Sequence, residues 1–204
     1  LPNIVKIAKA YEARVMVDDA HGVGVLGAGG RGTAEHFGLE DQVDLIMGTY
    51  SKSLAAIGGF VAGSKVVIDF IKHIGRSMIF SASLPPSLVA SVSTALDIIE
   101  EQPQLRTQLW KNTHKMLKSY KELGYDTGTS ETPIIPIIIK DSMKTYEMCK
   151  LLFENGVFVN AVVSPAVPPG RELLRTSYMA THTEEQLDKV LGAFDKVGKQ
   201  LGLI

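Results

Sequence analysis

The sequence predicts an α/β fold followed by a smaller α+β lobe, and three observations point to it. An apolar helical period at the start passes directly into a β-branched run. A glycine-dense block then separates that run from the next apolar one. Beyond Pro103, strand and helix patterns mix in a different order.

Ile4, Ile7, Ala8 and Tyr11 recur at helical spacing, so the first residues read as a helix, with Asn3 placed to cap it. The chain shows no initial Met or signal peptide and is expected to open inside a fold. Residues 13–17 read as a strand running into Asp18-Asp19. Six glycines between Gly22 and Gly32 require a loop, after which residues 43–47 and 59–62 read as strands. Helices are expected over 65–74, 86–101 and 105–123, the second opened by the pair Pro85-Pro86, which suits a first helical turn. The later part reads as strand 134–139, helix 143–155, strands 157–159 and 173–178, and helix 183–201. This gives one domain over 1–103, built on a mixed sheet with helices, and a small α+β domain over 104–204.

The chain has 204 residues, 45% of them hydrophobic and 21% charged, which is enough to build a core. With 21 Lys plus Arg against 22 Asp plus Glu, the net charge of −1 offers no positive field for nucleic acid or an anionic membrane. No apolar run approaches the ~20 residues of a membrane span. The single cysteine, Cys149, falls on the apolar face of its helix and reads as packing. One cysteine excludes an internal disulfide, so a soluble cytoplasmic protein is expected.

Gly22-Val23-Gly24-Val25-Leu26-Gly27 matches the dinucleotide fingerprint in letters. The fingerprint's last glycine must open a helix, however, and Ala28-Gly29-Gly30-Arg31-Gly32 holds helical structure poorly, so this reading is rejected. The stronger constellation is Asp18-Asp19-Ala20-His21 at the end of one strand with Thr49-Tyr50-Ser51-Lys52-Ser53 just past the next. Carboxyl ends of strands are where α/β sheets bind ligands, and consecutive strands are usually neighbours. Taken singly, each residue has a plainer reading. A lysine between serines is most often a solvated surface group, His21 could cap a turn or sit in a core, and Asp18 with His21 could be half a metal site. The remaining histidines, His36, His73, His114 and His182, show no helical pair spacing that would complete one, and His182 reads as structural.

Four strings resemble the α-oxoamine synthases, a family of fold-type-I, class II aminotransferase-like enzymes that use pyridoxal 5'-phosphate (PLP). They are Val17-Asp18-Asp19-Ala20-His21-Gly22, Gly48-Thr49-Tyr50-Ser51-Lys52-Ser53-Leu54, Phe80-Ser81-Ala82-Ser83-Leu84-Pro85-Pro86 and Arg175-Thr176-Ser177-Tyr178-Met179-Ala180-Thr181-His182-Thr183. They occur in family order across nearly the whole chain. The resemblance implies that Lys52 carries the cofactor and moves the proton at the substrate α-carbon. It implies Asp18 at the pyridine nitrogen, His21 at the ring's phenolic oxygen, and Thr49 and Ser51 at the phosphate, with Ser81 reaching the phosphate of a second subunit in a homodimer. Arg175 would bind the amino-acid carboxylate.

The implied reaction condenses an amino acid with an acyl-coenzyme A, loses carbon dioxide and yields a 3-keto amino product. Ser51 before the lysine, where glycine-using members tend to carry glycine, points to the branch that takes L-serine and palmitoyl-coenzyme A. The segment Ser164-Pro165-Ala166-Val167-Pro168-Pro169-Gly170 resembles that branch's mobile proline loop, with Val167 where threonine is expected. Family members also carry a preceding part that contributes a ring stacked on PLP and acyl-coenzyme A contacts. The resemblance therefore covers the carboxyl-terminal part of the enzyme, and such a part by itself is expected to expose a sheet edge and apolar helix faces. Other readings are a fragment without turnover and an ordinary PLP aminotransferase.

Overall fold

The computed structural model describes all residues, 1–204, as two compact units, Leu1–Arg106 and Thr107–Ile204. The first contains helix α1 (Pro2–Ala10), strand β1 (Met16–Asp18), the short helix α2 (Thr33–His36), strands β2 (Leu45–Thr49) and β3 (Gly59–Gly63), and helices α3 (Lys65–Ile74), α4 (Arg76–Ile79) and α5 (Pro86–Glu101). Helix α6 (Pro103–Glu122) carries the chain across the division.

The first sheet has the order β1-β2-β3 and is mixed: β1 runs parallel to β2, with Asp18 opposite Met47, and β3 runs antiparallel to it. The strand expected from residue 13 begins only at Met16. Ala13 N–H turns back to the Ala8 carbonyl (2.8 Å) and closes α1, while Val15 N–H is taken by the Asp44 carboxylate (2.8 Å). Val15 N–H and Arg14 hold that carboxyl down to about pKa 2. Asn3 does not cap α1: the helix starts at Pro2 on Leu1 with no side-chain cap, and a proline in the first turn has no N–H to satisfy. Helices α3 and α5 fall where the sequence put them. The short α2 and α4 went unread, because four residues are too few for an apolar period to show. Leu54, Ala56 and Val92 form the small core of this unit, with Val23, Tyr50, Phe60, Leu88, Ala95 and Ile99 packed around them. Outside it, α3 and the turn after α4 leave large apolar side chains exposed, Val66 at 80% and Phe80 at 83%.

The second unit adds β4 (Ile134–Ile138), α7 (Ser142–Glu154), β5 (Asn160–Val162), β6 (Leu173–Ser177) and α8 (Glu184–Gln200). Its sheet has the order β4-β6-β5, antiparallel throughout. Pro136 is tolerated in β4 because β4 is an edge strand, where a missing N–H breaks no ladder. Ile135, Ile137 and Leu174 from the sheet pack with Met116, Tyr120, Met148, Leu152, Leu187, Phe194 and Val197 from the helices, all essentially inaccessible. The strand expected at 157–159 lies instead at Asn160–Val162, since Val157 N–H bonds back to Leu152 O (2.9 Å) and Val159 O accepts from Cys149 Sγ (3.3 Å). Cys149 is half-buried in that packing. Thr183 and Gln186 form a capping box at the start of α8. His182 serves the turn before it: its Nδ1 accepts Met179 N–H (3.2 Å), and Asn112 donates to both Met179 O and His182 O. No helix is long and apolar enough to cross a membrane.

Candidate functional site

The parallel pairing of β1 and β2 puts Asp18, the last residue of β1, and Thr49, the last residue of β2, at the same carboxyl end of adjacent strands. The ladder continues one step past β1, with Asp19 N–H donating to Met47 O (2.7 Å). Asp18 is exposed and accepts Ala20 N–H (3.1 Å), and His21 is exposed in the turn that follows. The parallel register therefore brings Asp18, and the turn that carries His21, to the sheet end from which the Thr49 to Lys52 segment leaves.

Thr49 Oγ1 donates to Gly58 O (3.1 Å) and lies 2.9 Å from Ser51 Oγ, which makes Ser51 the donor between the two hydroxyls. Ser51 N–H also reaches Thr49 Oγ1 (3.3 Å). The backbone closes tightly around this group: Lys52 O accepts Ala55 N–H (3.1 Å), Tyr50 O accepts Ala56 N–H (2.7 Å), and Ala55 takes the left-handed conformation at φ +50°. Leu54, 1% exposed, anchors the turn in the core. Lys52 rides on this turn exposed, and no hydrogen bond or ion pair engages its amine. A carboxylate, an imidazole, two clustered hydroxyls and an amine are thus carried by segments that leave the same end of the sheet. That donor set matches the pyridine nitrogen, phenolic oxygen, phosphate and aldehyde of PLP, so the residues fit the group.

Ser81 is exposed in the turn after α4, where its hydroxyl bonds to Ser77 O; its bond is local and joins it to none of these groups. Arg175, in the second unit, sits half-buried at the centre of β6, opposite Pro136 of β4 and Asn160 of β5. No acidic side chain pairs with it, unlike the salt-bridged strand residue that a lone arginine usually is.

Sequence reasoning quoted Asp19 and Ser53 within its strings without giving either a role, and it did not single out Thr33. Asp19 is 2% exposed, with its carboxylate oxygens accepting Thr33 Oγ1 (2.6 Å) and Thr33 N–H (2.7 Å). The signal was present in the glycines. A Cβ on Gly22 or Gly32 would fall 1.9 Å or 2.0 Å from those oxygens, so the block is glycine-rich partly because it wraps a buried carboxylate. The same wrapping explains why the dinucleotide reading fails, since Gly22 to Gly27 forms successive turns and opens no helix.

Residues 1–194 match the aminotransferase class I and II family. A serine palmitoyltransferase of Sphingobacterium spiritivorum is 54% identical over 200 residues, covering 98% of this chain and 50% of that protein. An 8-amino-7-oxononanoate synthase of Thermoanaerobacter pseudethanolicus is 47% identical, covering 100% of this chain and 52% of that protein. Among solved structures, a serine palmitoyltransferase with a PLP internal aldimine superposes with a TM-score of 0.95 at 37% identity, over 98% of this chain and 51% of that one. The Sphingomonas wittichii serine palmitoyltransferase gives 0.94 at 36%, with the same coverage of 98% and 51%. The chain spans about half the length of the relatives it matches.

Proposed function

The chain belongs to the PLP-dependent aminotransferase class I and II family, and from that premise we propose that it is the cofactor-lysine part of an α-oxoamine synthase. The reaction is the decarboxylative condensation of an amino acid with an acyl-coenzyme A. Residues 1–103 would be the partial PLP-binding domain and 104–204 the small domain. The observation that carries this reading is Lys52, an unpaired amine on a tightly closed turn, at the sheet end where β1 delivers Asp18.

When bound, PLP supplies an electron sink for the pair released at the substrate α-carbon. Lys52 holds the cofactor and takes, then returns, the α-proton. Asp18 keeps a proton on the ring nitrogen, which maintains the ring's electron demand. His21 donates to the phenolic oxygen. Thr49 and Ser51 hold the phosphate, their hydroxyls already clustered 2.9 Å apart. Arg175 fixes the amino-acid carboxylate until it leaves as carbon dioxide. The phosphate of a second subunit is assigned to Ser81, in a homodimer.

L-Serine and palmitoyl-coenzyme A are the proposed substrates, which would place the reaction in sphingolipid biosynthesis in the cytoplasm. Ser51 before Lys52 and the 54% identity to a serine palmitoyltransferase support this choice. A second reading, a different α-oxoamine synthase such as an 8-amino-7-oxononanoate synthase or a glycine C-acetyltransferase, is favoured by relatives of the first kind at 47% identity. Borohydride reduction of the PLP-loaded protein followed by peptide mapping tests the cofactor assignment, and a label on any lysine but Lys52 removes it. Absorbance titration with serine against glycine tests the branch: a response to glycine alone excludes serine as substrate and leaves the family reading standing.

A further inference from the structure

Two segments bear the chemistry assigned above, the turn after β1 with His21 and the turn after β2 with Lys52. A side-chain hydrogen bond joins them, Ser53 Oγ donating to Val23 O at 2.5 Å across 30 residues of sequence. The approach is close enough to demand a glycine. A Cβ on Gly24, at φ +79°, would lie 2.8 Å from Ser53 Cβ and 3.0 Å from its Oγ. Val23 and Leu54, the residues flanking this contact, pack in the same apolar cluster. The apolar contact holds the two turns together, and the hydrogen bond fixes their orientation.

We propose that Ser53 is a positioning residue for Lys52: its bond to Val23 O, seated against Gly24, orients the Lys52–Ser53 peptide relative to the turn that carries His21. Each neighbour of Lys52 is then committed. Ser51 bonds to Thr49, Ser53 bonds to Val23, and Leu54 is 1% exposed in the core, which leaves the lysine side chain as the mobile group on a fixed base. An amine that must meet an aldehyde held by Asp18, His21 and the hydroxyls gains from such a base, because the orientation need not be found anew at each encounter. The inference rests on Lys52 being the cofactor lysine.

Ser53→Ala deletes the bond and leaves the Val23–Leu54 packing in place; Ser53→Thr keeps the hydroxyl. Free PLP is titrated into each protein, the samples are reduced with borohydride, and the fraction labelled at Lys52 is read by mass after peptide mapping, with thermal melting followed by circular dichroism alongside. In Ser53→Ala the half-saturating PLP concentration is expected to rise about fivefold, with melting lowered only by what one ordinary hydrogen bond accounts for, and Ser53→Thr to restore the parent values. A purely structural bond would lower melting and leave the half-saturation alone, and that result overturns the proposal, as does a Thr variant as weak as Ala. If Ser53→Ala does not fold, Ser53→Cys, a near-isosteric weaker donor, is judged by the same two outcomes. A label off Lys52 in the parent overturns the cofactor assignment, whereas a label on Lys52 with unchanged half-saturation overturns only the role of Ser53.

Discussion

Thr33 and Asp19 are bonded twice, through Thr33 N–H at 2.7 Å and Thr33 Oγ1 at 2.6 Å, one to each carboxylate oxygen, in a pocket roofed by Gly22 and Gly32. Removing the hydroxyl alone, in Thr33→Val, is expected to cost about 1 kcal/mol. Asp19→Ala strands the Thr33 N–H as well and is expected to cost roughly 2 to 3 kcal/mol. Denaturant unfolding of the two variants measures both. If Thr33→Val were the more damaging, Asp19 would not be what closes this loop.

Arg175 is assigned to the substrate and not to the cofactor. Only a planar guanidinium grips a carboxylate with two bonds, so Arg175→Lys is expected to weaken serine binding by roughly 1.5 to 3 kcal/mol, with acyl-coenzyme A binding much less affected. The absorbance of the PLP-loaded variant before serine is added should equal that of the parent. Equal serine affinity in the two proteins would remove Arg175 from the site.

Ser81 tests the shared site. Its hydroxyl is exposed and bonded only within its own turn, which leaves it accessible to a second subunit. A Lys52→Ala protein and a Ser81→Ala protein, each inactive, should recover part of the activity when mixed into hybrids. Hybrids that form, shown by mass, and stay inactive would place Ser81 outside any shared site.

Tyr120 and Tyr178 share a buried hydroxyl pair at 2.8 Å, and burial pushes the Tyr178 phenol up to about pKa 12 from its ordinary 10. The unfolded chain gives up this proton first as pH rises. The stabilisation is therefore complete below pH 10 and drains away on the way to pH 12, by on the order of 2 to 3 kcal/mol. Tyr178→Phe should flatten that alkaline loss, with Tyr120 and Tyr125, both also pushed up by burial, supplying what remains. Unfolding measured across pH 9 to 12, an interval set by that shift, checks this. An identical slope in parent and variant would mean that Tyr178 is not the group titrating.

The sequence by itself determined the long elements and the chemistry-bearing strings. Helices α3 and α5 coincide with their expected spans, because an apolar period sustained over ten or sixteen residues has one helical solution. Asp18, His21, Thr49, Ser51 and Lys52 could be named as candidates because their residue types follow two apolar runs expected to be neighbouring strands, and β1 and β2 do pair, in parallel. What only the tertiary structure decided is where backbone groups find partners far along the chain. Asp44 takes Val15 N–H from 29 residues away and delays β1, and Cys149 takes Val159 O and displaces β5. The glycine block likewise looked like punctuation in the sequence. Its spacing is set by contacts with Asp19, Glu35 and Ser53, side chains whose closeness exists only once the loop has folded around them. Local periodicity records which face of an element is apolar, but a hydrogen bond between distant residues leaves no period to read.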